Sequence, residues 1–79
     1  MPKLIREPIT ESAGANVRYR YPLDAKPAPR WIADLVDAPR PAGVLDVEVE
    51  TDPPSVVVTF AHEAAAEVHE WAPALIEST

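Results

Sequence analysis

The chain has no cysteine, only two glycines, and no lysine or arginine after Arg40. Without cysteine there are no disulfide staples, thiolate zinc sites or thiol nucleophiles. Two isolated glycines, Gly14 and Gly43, cannot build a phosphate-cradling loop. No apolar run reaches the ~20 residues of a membrane-spanning helix, and the segment Met1-Pro2-Lys3-Leu4-Ile5-Arg6-Glu7 has no apolar signal core, so the expected home is the cytoplasm. A chain of 79 residues buries only ~60% of the surface its unfolded form exposes, which fits one small domain spanning 1–79 and leaves little room for a deep substrate cleft.

What is present is uneven. Residues 1–40 hold all seven bases against five acids, and residues 41–79 hold eight acids and no base. The charge map therefore argues against a uniformly basic nucleic-acid binder, because phosphate neutralisation would fall to the first half alone. The asymmetry points to a basic partner surface or to neutralisation of one half by the other. Thirteen alanines, nine valines, five arginines to two lysines and no glutamine suit a GC-rich coding genome, bacterial or phage.

Residues 3–9 and 16–23 alternate polar with apolar around a turn-rich stretch from Thr10 to Ala15, which predicts a hairpin. Pairing Ile9 with Val17 sets Ile5, Ile9, Val17, Tyr19 and Tyr21 on one face and Arg6, Arg18 and Arg20 on the other. Pro8 assigns this first strand to an edge. Arg30 to Asp37 then carries apolar residues at helical spacing, with Pro29 at a first helical position, an Arg30–Asp34 i,i+4 pair, and a stop at Pro39. That helix docks through Trp31, Ile32, Leu35 and Val36.

Val44 to Glu50 alternates strictly, and Ser55 to Phe60 is β-branched and aromatic. Closing Thr51-Asp52-Pro53-Pro54 as a loop pairs Glu50 with Ser55, Val49 with Val56, Val47 with Val58 and Leu45 with Phe60. A one-residue slip would mix the faces, so the register is strongly specified. From Ala61 a helical stripe follows through Val68, Trp71, Ala72, Leu75 and Ile76, which Pro73 is expected to stop or kink near Ala72. The fold class is α+β in two layers: an antiparallel sheet of four strands covered on one face by two helices, in the order β-β-α-β-β-α.

Asp46, Glu48 and Glu50 form an acid ladder with ~6.7 Å steps, about twice the charge spacing of one DNA strand. With Glu63, Glu67 and Glu70 it suggests a nucleic-acid mimic that occupies a basic groove. The plainer account is that Arg6, Arg18 and Arg20 share the outer sheet face and meet those acids across strands. His62 and His69 lie seven residues apart, ~10 Å along a helix, too far to share a metal ion, and no cofactor is implied. Ser12, Ser55 and Ser78 sit in no nucleophile elbow. Tyr19 and Tyr21 alternate with Arg18 and Arg20, so strand geometry sends rings and guanidiniums to opposite faces rather than building a stacking platform.

Taken together, these features describe a non-catalytic protein-binding module or inhibitor. It docks an acidic surface made of Asp46, Glu48, Glu50, Glu63, Glu67 and Glu70 on a basic partner protein, as a phage anti-defence or immunity-type protein would. The alternative is an assembly protein acting through homo-oligomerisation, joined at sheet edges or at Trp71, Leu75 and Ile76.

Overall fold

The computed structural model describes residues 3–5 and 7–79, apart from the side chain of residue 13. Four antiparallel strands, β1 (Ile9–Ala13), β2 (Asn16–Pro22), β3 (Val44–Thr51) and β4 (Pro54–Ala61), form one sheet in the order β1-β2-β4-β3. Helix α1 (Pro29–Asp37) connects β2 to β3, and a 3₁₀ turn, His62–Ala64, leads from β4 into α2 (Ala65–Ser78). Because β2 and β3 both run antiparallel to β4, they are parallel to each other. The chain crosses from one to the other through α1, leaving a gap that β4 fills. Both helices pack on one sheet face, as their buried side chains share a core with Tyr21, Val47, Val56, Val58 and Phe60.

β4 lies inside the sheet and is buried on both faces, Val57 included at 4% exposure, which suits its β-branched run. On the inner face Tyr19 meets Phe60 edge-on at 4.7 Å and Tyr21 at 6.1 Å. Gly43 enters β3 where a side chain could not: a Cβ there would overlap Ala64 Cβ. The Gly43 carbonyl accepts from the Ala61 amide at 2.9 Å, fixing this approach.

α1 begins at Pro29 as expected and ends at Asp37, where Ala38 turns extended before Pro39. The Arg40 guanidinium donates to the Val36 carbonyl at 3.0 Å and caps the last turn. Trp31 and Leu35 are buried, while Ile32 and Val36 are half-buried. Arg30 and Asp34 do not approach within 4.0 Å, so the expected helix-surface pair is not closed among the described residues.

Three expectations are corrected. The first strand is β1 at 9–13, not 3–9, and its register sets Ile9 opposite Arg20 and Ser12 opposite Val17. The hairpin closes through Gly14 and Ala15 alone, with Gly14 at φ 66°, so Thr10–Ala13 is strand rather than turn. Ile5 and Ile9 are consequently exposed, and residues 3–5 pass beside the end of β2 through a Leu4–Leu23 bridge.

In β3 a bulge between Val44 and Asp46 shifts the register, so Val44 instead of Leu45 pairs with Phe60 and Leu45 is 53% exposed. The remaining pairs, Val47–Val58, Val49–Val56 and Glu50–Ser55, follow the alternation. Finally, α2 runs through Pro73 without ending. The proline removes one backbone bond at a cost of about 3 kcal/mol. Burial of Ala72 and Ile76 with Leu75 against the core offsets it, at about 1.5–3 kcal/mol for each large side chain.

Candidate functional site

The outer sheet face is the polar face of the molecule, and its geometry follows from strand alternation. In register, Glu11, Arg18, Thr59 and Asp46 make one row across the four strands, and Ile9, Arg20, Val57 and Glu48 make the next. Glu50 faces Ser55 in a third row.

Arg20 organises this surface. Its Nε donates to Glu11 Oε2 at 3.1 Å, and its Nη1 donates to Glu50 Oε1 and, at 3.4 Å, to Ser55 Oγ. To join β1 and β3 the side chain reaches across β4, over the strand on which Ser55 and Val57 are buried despite facing outward. The Ser55 hydroxyl accepts from Arg20 and lies 3.4 Å from Glu50 Oε1 and 3.3 Å from the Pro53 carbonyl, donating to one at a time. The hydrogen bonds that Arg20 donates to Glu11, and after it to Glu50, raise its pKa further above the ordinary arginine value, which keeps the guanidinium charged. Arg18 pairs more loosely with Glu11 at 4.0 Å and reaches Thr59 Oγ1 at 3.5 Å.

This arrangement decides which acids are compensated. Glu50 is held by Arg20. Asp46 and Glu48 are exposed, and no base lies within 4.0 Å of either among the described residues. Arg6, expected on this face, lies outside the described residues. Among the described residues four carboxylates thus share this face with two guanidiniums, and the unbalanced pair sits on β3. Glu63, Glu67 and Glu70 are exposed too, without a base within 4.0 Å among the described residues, but they belong to the helical layer. The six acids thus divide between the outer sheet face and the helical layer.

Glu11, Ser55 and Thr59 complete the network; Ser55 stands opposite Glu50 as the alternation predicts, whereas Glu11 escapes the sequence reading. Glu11 lies in a stretch that reads as turn; the signal was Gly14 placed to open a two-residue Gly-Ala turn, which would have extended the strand to Ala13.

Elsewhere, an open groove of about 430 Å³ runs past Lys26, Arg30, Trp31 and Asp34, and one of about 390 Å³ past Leu4, Glu7, Tyr21 and His69. Trp31 Nε1 and Tyr21 Oη are buried without a hydrogen-bond partner among the described residues. Burial, and next to it Tyr19, pushes the Tyr21 phenol well above its ordinary range. No group of three histidines and carboxylates suited to a metal ion occurs among the described residues, and no helix is long and apolar enough to cross a membrane. Comparison with protein-family models, curated proteins and solved structures finds no match.

Proposed function

We propose that this chain is a non-catalytic protein-binding module, of the inhibitor or immunity kind, that presents the Asp46–Glu48 side of its sheet to a basic surface on a partner protein. The observation that carries the reading is selective compensation: Arg20 takes Glu11 and Glu50 and leaves Asp46 and Glu48 exposed beside them, without a base among the described residues. Strands hold such carboxylates at a fixed spacing, so little order is lost when a partner engages them. Glu63, Glu67 and Glu70 add to the negative field from the other layer and steer a basic partner toward the molecule.

Homo-oligomerisation through the end of α2 has less support, because Ile76 is buried and Trp71 and Leu75 pack against the chain's own core. Calorimetric titration with decalysine tests the charge reading. Affinity is expected to fall at least ~10-fold between ~20 and ~300 mM salt as screening rises. An affinity indifferent to salt, or no binding at low salt, overturns it.

A further inference from the structure

β3 is an edge strand of eight residues, and among the described residues its one sheet partner is β4. In an antiparallel pair alternate residues turn their N–H and C=O groups away from the neighbour. Along 45–51 no loop backbone or side chain among the described residues bonds to those outward groups. Such an edge is a template for another strand, and proteins commonly blunt it with charge and with bulges. Here both devices occur, the bulge at Val44–Asp46 and the acids at 46, 48 and 50, yet they blunt the edge selectively. A second copy of β3 set antiparallel in any register that keeps the faces aligned would put carboxylate opposite carboxylate, which is destabilising.

We propose, resting on the charge reading above, that the partner docks as an extended basic segment adding a fifth strand to the β3 edge. Its alternate Lys or Arg side chains would stand ~4.5–5.5 Å, Cβ to Cβ, from Asp46 and Glu48 on the outer face. The intervening apolar side chains extend the inner face beyond half-buried Val49, and Leu45, pushed out by the bulge, supplies an apolar contact at the start of the strand. Backbone bonds supply affinity and the alternating charge supplies selectivity. The opposite edge fits less well: β1 has five residues, and its acid, Glu11, is already held by Arg20.

The test uses a peptide of alternating lysine and valine as long as β3, and the same peptide N-methylated at alternate residues, which keeps charge and length while removing the donors along one edge. By NMR, the unmethylated peptide is expected to slow amide exchange within 45–51 and to bind at least ~10-fold more tightly than its methylated form. Equal affinity of the two forms with unchanged exchange, or shifts centred on 63–70, overturns strand addition while the charge reading stands. Failure of both peptides and of decalysine to bind at low salt overturns both. Sedimentation that finds the free chain dimeric, with the peptide dissociating the dimer, overturns the choice of a basic segment over a second copy.

Discussion

In the β3–β4 hairpin, Val47 and Val49 alternate with Asp46, Glu48 and Glu50 against a strand whose inner face, Val56, Val58 and Phe60, is wholly apolar, so a slip by one residue would bury carboxylates. The β1–β2 hairpin has no such constraint. The β1 residues Thr10, Glu11 and Ser12 distinguish the faces weakly, and its register is held by the Gly14 turn and by the Glu11–Arg20 pair. One hairpin is aligned by what it buries and the other by how it turns and what it pairs. The electrostatics follow the same division: the acid on β1 is consumed inside the fold, whereas two of the three on β3 are left to face outward.

The two glycines probe the difference. Gly43→Ala forces the chain entering β3 away from Ala64 and should lower stability by about 1–3 kcal/mol in denaturant unfolding. Ala64→Gly in the same chain should restore most of the loss, and failure of that rescue would show that the close approach is not the cause.

Tyr21 tests the inner face of β2 against the wholly apolar inner face of β4. Its hydroxyl is buried without a partner among the described residues, so Tyr21→Phe should raise stability by about 1 kcal/mol. The raised phenol pKa adds a pH signature. An unfolded tyrosine ionises near ~10 while the folded one stays neutral. The contribution is complete below about pH 10 and is lost as pH rises toward the folded-state value. Unfolding midpoints measured from neutral to alkaline pH should therefore fall less steeply in Tyr21→Phe.

Gly14→Ala should cost about 1 kcal/mol through its positive φ alone, since nothing crowds a Cβ there. Gly14→Asn should cost less, because asparagine tolerates that region. Equal penalties would mean that the turn is not what aligns the first hairpin. The smallest effect is expected on the outer face: Glu11→Gln should lose ~0.2–1 kcal/mol, and less at high salt, whereas Glu48→Gln should lose nothing. A matching loss at Glu48 would reveal a partner within the fold and blur the contrast between the strands.

Legibility followed the same physics. Element order, α1 from Pro29 to Asp37 and most of the second hairpin could be read because apolar periodicity reports burial directly. The first strand reads as 3–9 because Ile5 and Ile9 lie in phase as in an alternating strand, whereas β1 runs on from Ile9 through Thr10, Glu11 and Ser12, whose polar side chains carry no alternation. Leu45 is in phase with Val47 and Val49 and so reads as inward, whereas the bulge, at the point where Val44 and Leu45 stand as consecutive apolar residues, gives the inward place to Val44. Pro73 reads as a stop or a kink near Ala72 because local preference says nothing of the core waiting for Ile76, and α2 continues through it. The candidate acids were visible as charge, but which of them remain open depends on Arg20 reaching across β4, a contact between residues 30 apart in sequence.

The decisive measurement compares two variants by calorimetry with decalysine at low salt: Asp46→Asn with Glu48→Gln on the sheet, and Glu63→Gln, Glu67→Gln and Glu70→Gln together on the helical layer. If the exposed β3 carboxylates are the binding surface, the first set should weaken affinity at least ~10-fold, about 1.4 kcal/mol, and the second by much less. Equal losses would reduce the interaction to net charge, and a larger loss from the helix variants would place the surface on the other layer.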